Sequence, residues 1–97
     1  MIRRDGERIV VEGPVTLGNV TAVLREGYAL LGKGVRVIDL GGVTELDSSL
    51  LAALLAWLRA ARQGGAELQL SNLPEGLTTI ARLYGVSELL PGAASRH

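Results

Sequence analysis

Two hydrophobic patterns of different period stand end to end in the middle of this chain. Val35-Arg36-Val37-Ile38-Asp39-Leu40 is rich in β-branched residues and bounded by glycines, which predicts a strand. Residues 41–46 read as a loop. Asp47-Ser48-Ser49 then opens a helical pattern that runs to Arg62, and Gly64-Gly65 ends it as a left-handed helix terminus requires. The same alternation recurs on both sides. Residues 8–12 (Arg-Ile-Val-Val-Glu) form a β-branched run closed by Gly13-Pro14. Over residues 17–31 the apolar positions Leu17, Val20, Leu24, Tyr28 and Leu31 recur at helical spacing, with Thr16 as N-cap and Gly32-Lys33-Gly34 as stop. Gly18 and Gly27 inside that segment each cost roughly 1 kcal/mol against alanine. Residues 67–70 alternate polar and apolar as a half-buried strand does. Pro74 fits the first turn of a last helix whose inner stripe is Leu77, Ile80, Ala81 and Tyr84, with Gly85 as its stop.

Helices that alternate with strands imply a sheet with parallel pairing and helices packed on it, an α/β fold. The 97 residues suffice for a single domain, residues 1–97, with a frayed tail from Gly92 to His97. A domain of this size buries only roughly 60–65% of the surface its unfolded chain exposes, so its margin of stability is small or shared with a partner.

Composition excludes several functions. Ten basic residues balance ten acidic ones and only Tyr28, Trp57 and Tyr84 are aromatic, which argues against a nucleic-acid binder. Without cysteine there is no disulfide and no thiolate metal site, as suits a reducing compartment. The longest apolar stretch, residues 50–58, is about half of a membrane span. The N-terminus carries the charged run Arg3-Arg4-Asp5-Gly6-Glu7-Arg8 in place of a signal peptide. These features predict a soluble, cytoplasmic chain.

Catalysis finds no footing in the sequence. The single histidine, His97, is terminal, and the aspartates Asp5, Asp39 and Asp47 form no metal-like cluster. Asp39 lies in an apolar strand, where a carboxylate either points to the solvent side or needs hydrogen-bond partners. Residues 27–34 match the phosphate-loop pattern G-x-x-x-x-G-K, yet Gly34 takes the hydroxyl position and the segment leads from helix to strand. No cofactor and no metal is expected from these residues.

The turn Asp47-Ser48-Ser49 has two readings. Aspartate and serine are strong N-caps, a contribution of roughly 1 kcal/mol. A helix N-terminus also accommodates a phosphate placed on a serine. The helix beyond it carries Leu51, Leu54, Leu55 and Leu58 as one stripe and Leu50, Ala53, Trp57 and Ala61 as a second. Together they span about 200°, wider than the roughly 100° that one side of a sheet covers. Either a neighbouring helix or a partner protein must cover the second stripe, and tryptophan is a favoured interface anchor.

The strand Val35–Leu40, then Val43, then Leu46-Asp47-Ser48-Ser49 leading into a leucine-rich helix, resembles the STAS domain of sulfate transporters and anti-sigma factor antagonists. That pattern is an apolar strand, a short loop, D-[ST]-[ST]-G and a helix. Gly6-Glu7-Arg8-Ile9-Val10-Val11-Glu12-Gly13 looks like the family's first strand, and Gly64-Gly65-Ala66-Glu67-Leu68-Gln69-Leu70 like its next helix-to-strand junction. Ile80-Ala81-Arg82-Leu83-Tyr84-Gly85-Val86, with Leu89-Leu90-Pro91, is similar to the small standalone branch of the bacterial Mla phospholipid-transport system. The resemblance implies a small mixed central sheet of about four strands flanked by helices. It implies no enzymatic activity. It further implies a cytoplasmic accessory subunit, peripheral to the inner membrane, that binds the ATPase subunit of an Mla-type ABC transporter; a homodimer is also compatible with it. The partner-binding residues it suggests are Ser48, Ser49, Leu50, Ala53 and Trp57. The alternative is an anti-sigma factor antagonist with Ser48 as phosphoacceptor. Leu50 replaces the glycine of the pattern and adds bulk where a kinase would approach. Gly13-Pro14-Val15-Thr16 replaces an acidic stretch often seen after the first strand, so no contact is carried over there.

Overall fold

The computed structural model describes residues 1–91, and the tail expected to fray lies outside the described residues. In chain order the elements are β1 (Ile2–Asp5), β2 (Arg8–Val15), α1 (Val20–Leu30), β3 (Val37–Leu46), α2 (Ser48–Gln63), β4 (Gln69–Ser71) and α3 (Glu75–Leu83), followed by a 3-10 turn at Ser87–Leu89. The four strands form one sheet in the order β1-β2-β3-β4. β1 runs antiparallel to β2, whereas β2–β3 and β3–β4 are parallel. The sheet is therefore mixed, as the resemblance implies.

β2 and β3 form the centre, with Ile9 opposite Ile38 and Val10 opposite Asp39. Alternation along the strands turns Ile9, Val11, Ile38 and Leu40 to one face. All four join a single core with Val23 of α1, Leu50, Leu51, Leu54 and Leu58 of α2, and Leu77 and Ala81 of α3. The other face carries Arg8 and Asp39. There the Asp39 carboxylate accepts from Arg8 Nη1 at 2.7 Å, from the Gly41 N–H at 2.9 Å and from Asn72 Nδ2 at 3.0 Å. Both conditions set by the sequence are thus met: Asp39 leaves the helix-covered face, and its charge is hydrogen-bonded. Burial pushes this carboxyl up, but Asn72, Gly41 and Arg8 together outweigh it and hold it below the usual range.

Several local expectations are corrected. β1 was not among the strands expected from the residues, because its charged run offers only Ile2 to the core; it pairs through a hairpin whose turn places Gly6 at φ +65°. Residues 41–46 are strand, not loop. Gly41-Gly42 interrupts the hydrophobic pattern, yet β3 continues to pair with β2 up to Val15↔Leu46 across two register shifts. α1 begins at Val20, not at Leu17. The Asn19 side chain organises the preceding turn by accepting from the Thr16 N–H and donating to the Pro14 carbonyl, and Thr16 caps nothing. The buried positions of α1 are Val23 and Gly27, while Leu17 and Tyr28 from the expected stripe are exposed. In α3, Leu77 and Ala81 are buried as expected but Tyr84 faces outward.

Candidate functional site: the tip of α2

β2 and β3 run parallel and end together at Val15 and Leu46, where the connection to α1 and the start of α2 lie, and the start of α3 reaches the same end with Gly76 beside Leu46. Asp47 organises this end. As N-cap of α2 its Oδ1 accepts the Ser49 N–H at 2.8 Å. Its Oδ2 accepts the Leu17 N–H from the β2–α1 connection at 3.0 Å. One carboxylate thus satisfies a free donor of the helix and pins a neighbouring loop to it. The Leu17 and Ser49 N–H groups, in that order, hold the Asp47 carboxyl below the usual carboxylate range; burial opposes them weakly and the Ser49 hydroxyl assists.

Ser48, the first residue of α2, is exposed, and Ser49 is half-buried against Asp47. The capping reading of this turn is therefore correct, and capping leaves the Ser48 hydroxyl facing outward.

The other expected partner contacts are corrected by burial. Leu50, Ala53 and Trp57 retain 0%, 2% and 1% of their surface, so a partner has no access to their side chains. α1 supplies the cover that the second stripe needs. The Trp57 indole lies over Gly27, and its Nε1 donates to the Leu24 carbonyl at 3.0 Å. The outward line of α2 instead runs through Ser48, Ala52, Leu55, Ala56 and Arg59. Leu17 lies outside the helix that its spacing predicts. It projects from the turn that Asp47 holds, with 79% of its surface exposed.

The depressed carboxyls of Asp39 and Asp47 make stability pH-dependent in a defined direction. Each folded-state pKa lies below its unfolded value of about 3.9, so the contribution is complete above that value and is lost as pH falls through the folded pKa. Urea midpoints measured from pH 7 down to pH 2.5 are expected to fall chiefly below about pH 4. Asp47→Asn is expected to lower the midpoint at pH 7 and to reduce that acid-side drop; an unchanged pH profile in this variant would refute the assignment.

Among the described residues no group of three or more His, Cys, Asp or Glu side chains could hold a metal ion, and no helix is long and apolar enough to cross a membrane.

The sheet order and helix placement are those of a STAS fold. The anti-sigma factor antagonist SpoIIAA in its unphosphorylated form superposes with a TM-score of 0.67 at 16% identity, covering 93% of this chain and 84% of that one. A sulfate transporter family protein from Wolinella succinogenes gives 0.65 at 21% identity, covering 87% and 70%. Mglu gives 0.56 at 24% identity over 77% of this chain, which spans only 19% of the length of Mglu. No curated protein sequence matches the chain. The family model described as "Mlab, STAS domain" matches residues 1–91, and the chain belongs to that family.

Proposed function

We propose that this protein is a non-enzymatic accessory subunit that binds and supports the ATPase subunit of a phospholipid-transporting ABC complex of the Mla type. The family match over residues 1–91 carries this reading. The geometry supports it through Ser48, an exposed hydroxyl at a helix start held rigid by Asp47. Docking would act by mass action: a subunit that binds one assembled state of the ATPase raises the population of that state by its differential affinity. The protein would sit at the cytoplasmic side of the inner membrane through this partner.

Co-purification with the Mla-type ATPase subunit of the same genome tests the reading. Ser48→Arg is expected to weaken binding by at least tenfold and to lower transporter ATP hydrolysis, with the urea midpoint close to wild type because the side chain is exposed. Absence of any complex with wild-type protein would refute it. A stoichiometric phosphate on Ser48 in protein from native cells would instead support the anti-sigma antagonist alternative.

A further inference from the structure

Charge is distributed unevenly along this molecule. No Lys or Arg occurs in residues 12–24, 37–58 or 68–81, the segments that build the end around Ser48. The carboxylates at that end are Glu45, Asp47 and Glu75. Glu45 and Glu75 are exposed and have no ion-pair partner among the described residues, whose salt bridges are Arg3–Glu12, Arg8–Asp39 and Arg36–Glu7.

Helix ends explain part of this pattern. Asp47 caps α2, and Glu75 stands in the first turn of α3. Three helix N-termini at roughly +0.5 charge each offset only about half of three carboxylates. Glu45, at the end of β3, belongs to no helix. The tip is net acidic on a chain whose formal charge is zero.

From this acidic end projects Leu17, 79% exposed, its backbone N–H fixed by the same Asp47 that positions Ser49. An exposed leucine alone means little. One held on an ordered turn by Asp47, beside a capped helix start and at the end of the fold that also carries Glu45 and Glu75, fits an apolar anchor on an acidic surface. Preorganisation lowers the ordering cost of such a contact, and a polar rim around an apolar centre is the usual arrangement of a protein interface.

We propose that Leu17 is the apolar anchor of the docking tip, and that the ATPase surface it enters is an apolar socket rimmed by Lys or Arg. This rests on the proposed function and specifies the chemistry of its partner. Opposite charge accelerates encounter and is screened by salt, whereas the buried leucine governs dissociation.

The test is a titration of the full chain against the purified Mla-type ATPase subunit of the same genome at several salt concentrations. Leu17→Ser is expected to weaken binding at least tenfold, chiefly through faster dissociation, and Leu17→Met to restore it. The pair Glu45→Lys and Glu75→Lys is expected to slow association about tenfold or more at low salt and to remove the salt dependence seen with wild type. Urea midpoints of these surface variants are expected to remain near that of wild type. Wild-type binding unaffected by Leu17→Ser, or insensitive to salt and to both charge reversals, would overturn this inference alone. Failure of wild-type protein to bind at all would overturn it together with the reading beneath it.

Discussion

Gly27→Ala is expected to destabilise the protein by about 2–3 kcal/mol, toward the upper end of overpacking effects. A Cβ at this position of α1 would stand inside the van der Waals envelope of Trp57 at Cε2, Cζ2 and Nε1. Elsewhere in a helix the change gains about 1 kcal/mol from propensity. Here both partners must move apart, and the indole is fixed by the bond from Nε1 to the Leu24 carbonyl. The expected drop in melting temperature is roughly 10–20 °C for a domain of this size. Adding Trp57→Leu should make the alanine far less damaging, so a double-mutant cycle would return a coupling of about 1–3 kcal/mol. Wild-type stability in Gly27→Ala would show that the two helices are not locked this way.

Trp57→Ala is expected to cost still more, about 3–5 kcal/mol, because it empties the largest buried side chain of the core. The variant also removes the indole bond to α1. Against a total stability of order 5–15 kcal/mol, that brings a small domain close to unfolding at moderate temperature. Trp57→Phe keeps most of the volume, loses the N–H, and should cost no more than about half as much. Circular dichroism in urea is the appropriate measurement, since the protein has one tryptophan and the substitution removes its fluorescence reporter. Any loss of binding to the proposed ATPase partner in Trp57 variants should follow loss of folded protein. A variant that stays fully folded yet fails to bind would restore the tryptophan as a contact residue.

These two positions show how far periodicity reaches. The width of the apolar arc on α2 correctly required a second covering element, but a hydrophobic pattern does not record which element comes. The deciding residue was Gly27 on another helix, whose missing side chain appears in the sequence only as a propensity cost. The central strand, the Asp47 cap and the Gly64-Gly65 stop were legible because each rests on local chemistry: β-branched packing, a carboxylate on a free N–H, and Gly65 at φ +86°. β1 and the far half of β3 were not legible. Their pairing comes from neighbours, and neither charged residues nor a glycine pair announces it. At the site, Ser48 was legible as a helix-start hydroxyl. Leu17 was hidden because its spacing happened to continue a helix that starts only at Val20.

The two rims of the sheet bear on how the protein keeps company with itself. One rim is β1, four residues long and carrying Arg3, Arg4 and Asp5; the other is β4, with three residues, continued by the part of β3 beyond Asp39, which Gly41-Gly42 and Glu45 interrupt. Neither offers the long, flat, greasy ribbon on which another chain could zip up backbone to backbone, and guanidinium groups along β1 would have to shed water first. Crowding many copies together therefore should not seed fibrils from the native state, and the sheet stays a private scaffold for whatever the helices meet.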